Sequence, residues 1–325
     1  MNTMPANDTA IKHAVHLLRQ GRLVAFPTET VYGLGADASN SDAVKRIFQA
    51  KGRPANHPLI VHISSTDKLD DWAVDIPDVA RILATHFWPG PLAMILSKQA
   101  NVPLEVTGGQ QTVALRVPNH PVALSLLKAF DGGIAAPSAN RFCRISPTQS
   151  AHVREELGDN VDFILEGGSC QVGVESTIID LSGDKPKLLR LGHITQVEIE
   201  TVLNTQLIVN SRQGEIRAPG MMAVHYAPTT SAQLYPSDSF PNIVEEFCRH
   251  YKKIGLLAYN QQLKANSQIS IIYMPEQAEA YAQNLYASLR ELDNLKLDII
   301  LIEQPPQSEL WRAINDRLLK ATSTV

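Results

Sequence analysis

Cysteine is scarce in this chain, whose 325 residues include only Cys143, Cys170 and Cys248. The three are far apart and form no Cys-x-x-Cys motif, which argues against a disulfide scaffold or a zinc site and is typical of a reducing compartment. Long apolar runs are also missing, since none approaches the roughly 18 residues of a membrane-spanning helix. The N-terminus lacks the basic and apolar regions of a secretory signal peptide. We therefore expect a cytoplasmic protein that does not enter a membrane.

Positive charge is in short supply as well. The chain has 29 lysine and arginine residues against 33 acidic residues, for a net charge of −4. This balance argues against a generally basic nucleic-acid-binding protein, although a local basic patch with weak RNA binding stays open. Two common nucleotide-binding motifs, Gly-x4-Gly-Lys-Ser/Thr and Gly-x-Gly-x-x-Gly, are absent from the sequence. A nucleotide site in this chain must therefore use another arrangement.

Residues 22–63 contain the densest group of functional signals. Leu23 to Phe26 are typical of a short strand, which runs into a polar turn, Thr28-Glu29-Thr30. A helix is predicted next, with Ser41 as its N-cap and Gly52 at its C-terminal end. An apolar strand over residues 59–63 follows. The stretch therefore predicts a strand, a turn, a helix and a second strand in close succession.

Four nitrogen-bearing side chains surround the end of that helix and the strand after it, namely Lys51, Arg53, His57 and His62. A single cation at a helix C-terminus is explained by the helix dipole. A cluster of this size suits an anionic ligand, such as a phosphate or a carboxylate. Glu29 is interpreted either as a catalytic base or as an ion-pair partner of Lys51 or Arg53, and we favour the ion pair.

The order of the predicted elements indicates a mixed α/β domain over residues 1–205. Several of its strands follow one another without a helix between them, so a simple doubly wound parallel sheet is disfavoured. Regular periodicity weakens over residues 206–230, which we interpret as a linker. Strands and helices alternate over residues 231–325, a pattern typical of a small Rossmann-like α/β domain.

Cations and short polar side chains lie at the predicted strand ends and in the loops, where a rigid scaffold usually presents binding groups. These residues are Lys51, Arg53, Thr112, Arg116, Ser138, Asn140, Ser146, Ser176 and Arg190. Each serine alone is better explained by a capped turn or helix than by ligand binding, and Ser146 followed by Pro147 has the pattern of a helix N-terminus. The sequence contains no histidine and carboxylate cluster typical of a metal cage, so we predict no metal held by the protein itself.

Seven motifs occur in order between about Gly21 and Gly192: FPTETVYGLGADA, KGRPANHPLIVH, FWPGPLAMIL, ALRVPNHP, APSAN, SPT and GVESTIID. Together they resemble the threonylcarbamoyl-AMP synthases with the YrdC-type fold. The later PGMMAVHYAP and the α/β tail resemble the longer, two-domain members of that family. The resemblance implies a YrdC-like mixed twisted sheet with helices, plus a smaller C-terminal Rossmann-like α/β domain.

The resemblance also implies an activity, that of a nucleotidyltransferase. L-threonine, bicarbonate or carbon dioxide, and ATP would give threonylcarbamoyl-AMP and pyrophosphate. The product would serve the threonylcarbamoyladenosine modification of tRNA, which a separate transferase complex completes. Mg²⁺ would accompany the triphosphate.

Residue roles follow from the same resemblance, position by position. The Lys-x-Arg signature makes Lys51 and Arg53 the catalytic pair. The implied ATP-binding residues are Lys51, Arg53, His57, Thr112, Ser138, Asn140, Ser146, Arg190 and Tyr226. The implied threonine-binding residues are Thr30, His62, Arg116 and Ser176, with Arg116 suited to the carboxylate of threonine.

Two positions depart from the pattern of the family. Cys143 stands where close relatives keep a glycine, and it would be strained if the backbone there is left-handed. Residues 221–224, with the sequence MMAV, stand where many relatives carry a basic residue, so His225 and Tyr226 are left to reach ATP. We interpret residues 206–230 as a lid that excludes water from a hydrolysable adenylate.

Two other functions stay open at this point. A non-catalytic RNA-binding protein is one, and the overall acidity and the lack of an aromatic and basic stripe count against it. Carbamoyl transfer from carbamoyl phosphate to a protein, as in related hydrogenase-maturation domains, is the other. Those domains occur with zinc-finger-like cysteines, which this sequence lacks.

Overall fold

The computed structural model describes residues 2–209, 216–222 and 225–323. The chain divides into two compact units. Unit 1 contains Met1–Phe142, Pro147–Gln171 and Glu175–Met221, and unit 2 contains Cys143–Ser146, Val172–Val174 and Met222–Val325. Unit 2 thus includes two short segments from the first 205 residues. Part of the predicted linker, residues 210–215 with Ala223 and Val224, lies outside the described residues.

Helices and strands alternate irregularly in unit 1 and regularly in unit 2. The described α-helices are α1 (Asp8–Arg19), α2 (Ser41–Lys51), α3 (Asp78–Phe87), α4 (Leu104–Thr107), α5 (Pro121–Phe130), α6 (Ser150–Leu157), α7 (Gln196–Leu203), α8 (Phe240–Cys248), α9 (Ala278–Asn294) and α10 (Arg312–Thr322). The described strands are β1 (Asn2–Pro5), β2 (Val24–Phe26), β3 (Gly33–Asp37), β4 (Ile60–His62), β5 (Leu92–Ser97), β6 (Thr112–Arg116), β7 (Ile134–Ala135), β8 (Phe163–Glu166), β9 (Thr177–Asp180), β10 (Lys187–Arg190), β11 (Ile208–Val209), β12 (Ala232–Tyr235), β13 (Ile254–Ala258), β14 (Ile269–Tyr273) and β15 (Ile299–Glu303).

The sheet of unit 1 mixes parallel and antiparallel neighbours. Among the described residues it has 11 strands in the order β1-β8-β2-β3-β7-β4-β6-β5-β9-β10-β11. β4 lies parallel to β6 and antiparallel to β7, and β5 lies antiparallel to β6 and parallel to β9. The prediction of a mixed sheet instead of a doubly wound parallel one is therefore confirmed.

Helices cover both faces of this sheet, as the alternation along β2 makes clear. Val24 and Phe26 pack in one buried cluster with residues of α1 and α5, such as Leu18. Ala25 belongs to another cluster, together with residues of α2 and α3 such as Val44. Successive residues of a strand point to opposite faces, so both faces of β2 are buried.

The structure around α2 shows what the glycines and the helix caps of this stretch do. A Cβ atom on Gly35 would lie 2.8 Å from side-chain atoms of both Phe26 and Ile134, so this glycine admits the packing of β7 against β3. Gly52 ends α2 with φ 61°, as predicted. The N-cap prediction was wrong by one residue, because the side chain of Asn40, one residue before Ser41, accepts the first backbone N–H groups. The helix predicted to begin after Ser146 begins at Ser150 instead.

Unit 2 has a fully parallel sheet, as the regular alternation predicts. Its described strands lie in the order β12-β15-β13-β14, and each neighbouring pair is parallel. No helix within the described ranges is long and apolar enough to cross a membrane.

A buried carboxylate fills the carboxyl end of this parallel sheet. Glu303, at the end of β15, has no exposed surface. It accepts hydrogen bonds from the Ser237 hydroxyl at 2.5 Å and from the backbone N–H groups of Tyr259, Asn260 and Gln261 at 2.8, 3.1 and 3.2 Å. Successive N–H groups of this kind hold an anion in many nucleotide-binding folds. Here the anion is a side chain of the protein itself, in agreement with the missing glycine-rich motif.

Candidate active site

The polar turn after β2 is shaped by its own hydroxyl groups. The Thr28 hydroxyl donates to the carbonyl oxygen of Val31 at 2.7 Å and accepts from the backbone N–H groups of Thr30 and Val31. The hydroxyl groups of Thr28 and Thr30 lie 2.8 Å apart. The Thr28 hydroxyl closes the turn, so the turn needs no other partner for its backbone. Glu29 and Thr30 are both buried in unit 1.

Arg116, at the end of β6, contacts this turn directly. Its Nη1 donates to the Thr30 hydroxyl at 3.1 Å, and its Nε donates to the carbonyl oxygen of Gly90 at 3.1 Å. Its Nη2 lies 2.7 Å from Oε1 of Glu29, and both of these side chains are buried. Glu29 is thus an ion-pair partner, as favoured from the sequence. Its predicted partner was wrong, because the partner is Arg116 and neither Lys51 nor Arg53.

His62 lies beside Arg116, since the two residues are partners in the register of β4 and β6. Burial, with a smaller contribution from the Arg116 charge, lowers the pKa of His62 to about 3, although hydrogen bonds with the backbone of Ile134 and Ile60 oppose the shift. The imidazole is therefore neutral at physiological pH. Its Nδ1 has no hydrogen-bond partner among the described residues.

Ser176 and Arg190 form the next pair along the sheet. Arg190 donates through Nε to the carbonyl oxygen of Ser176 at 2.9 Å and through Nη2 to its hydroxyl at 3.1 Å. Arg190 also donates to the carbonyl oxygen of Pro219 at 3.1 Å. Thr177, at the start of β9, donates to the carbonyl oxygen of Pro91 at 3.0 Å, next to the Gly90 carbonyl that receives Arg116. Ser176 is therefore joined through this backbone to Arg116.

Lys51, in the last turn of α2, is buried and links the Lys-x-Arg signature to the loop of the APSAN motif. Its ammonium group donates to the carbonyl oxygens of Ser138, at 2.5 Å, and of Asn140. The backbone N–H of Phe142 in turn donates to the carbonyl oxygen of Lys51 at 2.8 Å. Lys51 thus fixes the loop that presents Ser138 and Asn140.

Arg53 and His57 share an aromatic neighbour that the sequence reasoning missed. The guanidinium carbon of Arg53 lies 5.9 Å from the centre of the Phe142 ring, and the rings of His57 and Phe142 are 5.4 Å apart. Partial burial, then the charges of Arg53 and Arg217, lower the pKa of His57. A cation–π contact holds Arg53 in place without neutralising its charge.

Arg217 is a second residue that the sequence reasoning missed. It lies in the predicted linker, where no cation was assigned. Its Nη2 donates to the carbonyl oxygen of Gly108 at 2.7 Å, and its backbone N–H donates to the side chain of Gln110 at 2.7 Å. Its charge lowers the pKa of His57, which places it on the same side of unit 1 as Arg53. The sequence did not indicate Arg217, because this residue lies in an irregular segment and belongs to no motif.

Thr112 stands apart from the predicted threonine-binding residues. It begins β6, whereas Arg116 ends it, so four residues of extended strand, roughly 13 Å, separate them. Thr112 follows closely after Gln110, whose side chain binds Arg217. Thr112 therefore lies at the opposite end of β6 from Arg116 and two residues after Gln110.

Two predicted ATP-binding residues, Ser146 and Tyr226, belong to unit 2. Ser146 is fully buried. Tyr226 has φ 64°, and its ring lies 5.8 Å from that of Tyr286 and 5.1 Å from the guanidinium carbon of Arg317. Cys143 has φ 62°, so the left-handed backbone expected at this glycine position is present.

The residues of unit 1 therefore form two neighbouring groups of buried charge. One group surrounds the Glu29–Arg116 pair with Thr30, His62 and Ser176. The other contains Lys51 and Arg53 with the loop of Ser138 and Asn140. Charges away from water act strongly on a bound ligand, and the arrangement suits two polar ligands, at least one of them anionic.

Comparison with known proteins finds similar families and relatives over nearly the whole chain. A family model described as "Telomere recombination" matches residues 16–192, and one described as "Threonylcarbamoyl-AMP synthase, C-terminal domain" matches residues 194–323. The chain is 42% identical to the threonylcarbamoyl-AMP synthase of Pyrococcus abyssi, with 96% of this chain and 94% of the relative covered. It is 39% identical to that of Bacillus subtilis, with 98% and 94% covered.

A solved structure agrees with these relatives. The crystal structure of P. abyssi Sua5 complexed with L-threonine matches with a TM-score of 0.92 and 39% identity, and the match covers 98% of this chain and 96% of that one. The fold predicted from the motifs is therefore confirmed, and so is the predicted family. The chain belongs to the threonylcarbamoyl-AMP synthase family.

Proposed function

We propose that the Glu29–Arg116 group of unit 1 holds L-threonine and that the Lys51–Arg53 group holds ATP. The chain is an enzyme of the nucleotidyltransferase type, and it forms threonylcarbamoyl-AMP for the threonylcarbamoyladenosine modification of tRNA. The residue roles are the part that we propose. They rest on the geometry of the two groups.

One observation supports the proposed threonine site. Two buried atoms of this group form no hydrogen bond within the described part of the chain, namely Oε2 of Glu29 and Nδ1 of His62, whereas Oε1 of Glu29 faces Nη2 of Arg116 at 2.7 Å. Buried polar atoms are nearly always satisfied, so two such atoms in one place indicate a ligand. An amino acid supplies a carboxylate for Arg116 and N–H donors for Glu29. The side-chain hydroxyl of threonine adds a group for Thr30 or His62.

The cations beyond the threonine group support the nucleotide site. Arg53 and Arg217 place positive charge around His57, and Lys51 holds the loop that contains Ser138 and Asn140. We propose that Thr112, Ser146, Arg190 and Tyr226 complete the site. Arginine is suited to phosphate because its planar group donates two parallel hydrogen bonds.

The reaction needs charge neutralisation and alignment more than a covalent nucleophile. The amine of threonine forms a bond with the carbon of carbon dioxide and gives a carbamate. An oxygen of that carbamate attacks the α-phosphorus of ATP, and the bond from this phosphorus to the bridging oxygen breaks to release pyrophosphate. Two anions meet in this step, so fixed cations lower its barrier by holding both in line. A buried Glu29 beside the amine is placed to accept the proton that the amine loses.

Mg²⁺ is part of this proposal only as the companion of ATP. Within residues 2–209, 216–222 and 225–323, no group of three or more His, Cys, Asp or Glu side chains could hold a metal ion. Phosphate oxygens and water are the usual ligands of Mg²⁺ in nucleotide sites.

Two further parts of the proposal concern the fate of the product. Threonylcarbamoyl-AMP is a mixed anhydride that water destroys, so we propose that residues 206–230 act as a lid over it. Arg217 and Pro219, within that span, belong to unit 1 and form hydrogen bonds with Gly108 and Arg190. We also propose that the product passes to a separate tRNA-modifying complex. The net charge of −4 favours at most weak direct contact with RNA.

Pyrophosphate release from ATP tests the residue roles. Omission of L-threonine or of bicarbonate should each abolish release by the wild-type enzyme. Arg53→Ala should reduce release by at least roughly tenfold, because a preorganised cation is lost. Arg81→Ala removes an exposed arginine paired with Asp70 and should behave as wild type. Release by Arg53→Ala at the wild-type rate would remove Arg53 from the ATP site.

A further inference from the structure

Two short segments next to the proposed ligand-binding residues belong to unit 2. They are Cys143–Ser146 and Val172–Val174. The first follows Asn140 and contains Ser146, and the second precedes Ser176. Residues on either side of the first segment are held in unit 1. Phe142 donates to the carbonyl oxygen of Lys51, and the carbonyl oxygen of Pro147 accepts from Tyr32, both at 2.8 Å.

The first segment is bound by the backbone that follows Tyr226. The carbonyl oxygen of Cys143 accepts from the N–H of Ala227 at 2.9 Å, and Arg144 and Ala227 form a parallel bridge. Arg144 also donates to the carbonyl oxygen of Pro228 at 3.1 Å and to the hydroxyl of Thr229. The segment is therefore paired as a strand would be.

Helix α9 makes the next contact with this segment. Arg290 donates through Nη2 to the carbonyl oxygen of Ile145, and the side chain of Arg290 is buried. The accepting residue directly precedes Ser146. A charged donor on a buried carbonyl group fixes that peptide unit, and the position of Ser146 depends on it.

The second segment meets the same helix by close packing. Gly173 has φ 79°, and a Cβ atom added to it would lie 2.3 Å from the carbonyl oxygen of Ala282 and 2.4 Å from Cα of Gln283. Backbone atoms of a helix cannot move away from such a contact. The segment therefore approaches α9 as closely as a glycine allows.

Both contacts are made by the same helix, one through its backbone at Ala282 and Gln283 and one through the side chain of Arg290. Gln283 and Arg290 are seven residues apart, about two turns of helix. Tyr281, Leu285 and Leu289 bury the other side of α9 in unit 2. A helix anchored in this way holds two loops at a fixed separation.

We propose that α9 positions the substrate-binding loops, with Arg290 fixing Ser146 for ATP and Gly173 fixing the approach to Ser176 for threonine. The proposal rests on the proposed assignment of Ser146 and Ser176. Neither Arg290 nor Gly173 contacts a substrate in this proposal. Both are positioning residues.

The test compares the KM values for ATP and for L-threonine in the full-length enzyme, with pyrophosphate release as the assay. Arg290→Met should raise the KM for ATP by about tenfold, as expected for the loss of a charged hydrogen bond, and leave the KM for threonine unchanged. Gly173→Ala should raise the KM for threonine more than that for ATP. A general loss of structure would raise both values together in both variants, and that result would overturn the proposal.

Matched controls separate these effects from strain and from lost charge. Gly109→Ala places a Cβ at φ 83° with no atom within 4 Å, so it adds strain without a clash and should leave both KM values unchanged. Arg249→Met removes an exposed arginine of unit 2 and should do the same. If Arg290→Met does not fold, Arg290→Leu replaces it, and an unchanged KM for ATP there would equally overturn the proposal. A wild-type enzyme without saturable ATP dependence would instead contradict the proposed function.

Discussion

Glu29 and Arg116 form a buried ion pair, with 2.7 Å between Oε1 and Nη2 and with side chains only 5% and 4% exposed. The two residues are 87 positions apart in the sequence, and the pair exists because the turn after β2 faces the end of β6. A charge that loses its partner in such a place stays buried and unpaired.

A double-mutant cycle should therefore show strong coupling between these residues. Glu29→Gln and Arg116→Met should each lower the free energy of unfolding by about 3–5 kcal/mol, because each leaves one buried charge. The double variant should lose less than the sum of the two, as measured by denaturant unfolding. The exposed pair Asp42–Lys45 offers the comparison and should show no measurable coupling. Additive losses at Glu29 and Arg116 would argue that the pair does not exist in solution.

His62 should make the stability of the enzyme depend on pH. Burial lowers the pKa of His62 to about 3 in the folded state, against about 6.5 in the unfolded chain. Between these values the unfolded state binds one more proton, so the free energy of unfolding falls by about 1.4 kcal/mol for each unit of decreasing pH. His62→Gln should remove this slope between pH 6.5 and pH 3.

Denaturant unfolding at a series of pH values measures that slope. His193→Gln, which changes an exposed histidine of the same unit, is the control and should leave the slope as in wild type. Equal slopes for wild type and His62→Gln would contradict a buried, neutral His62.

Cys143 should be a point of local strain that glycine relieves. Its φ of 62° lies in the left-handed region, which costs an L-residue about 1–2 kcal/mol. Glycine also increases the conformational entropy of the unfolded chain, which offsets part of the relieved strain. Cys143→Gly should therefore stabilise the protein by about 0.5–1 kcal/mol. Cys143→Ala keeps the Cβ atom and should not stabilise. Thermal unfolding of both variants distinguishes relief of strain from loss of the thiol.

The sequence predicted best those elements whose signal is local. The strands β2 and β4 lie within the predicted residues 23–26 and 59–63, and α2 ends at Gly52 as predicted. Strand β3 was missed because its sequence, GLGAD, has two glycines and no β-branched residue. It becomes a strand by pairing with β2, which ends seven residues before it, and with β7, about a hundred residues away.

The candidate site also has features that the sequence predicted and features that it did not. Motifs gave the identity of Lys51, Ser138 and Asn140, but not that the ammonium group of Lys51 binds the other two through their backbone carbonyl groups. Arg217 belongs to no motif, so only the structure shows its charge beside His57. The sequence shows the residue types and their order directly. Contacts between residues far apart in the sequence depend on the topology of the sheet.

Lys51 offers the sharpest test of the nucleotide side, because helix α2 contains a matched lysine. The ammonium group of Lys51 is buried and donates to two carbonyl oxygens of the Ser138–Asn140 loop, whereas Lys45 on the same helix is 51% exposed. Loss of two charged hydrogen bonds, each contributing about 1.5–3 kcal/mol, should release that loop. Lys51→Met should therefore lower kcat/KM for ATP by roughly a hundredfold or more, while calorimetric binding of L-threonine is retained. Lys45→Met should behave as wild type in both measurements. Unchanged ATP kinetics in a folded Lys51→Met variant would show that the loop does not depend on Lys51.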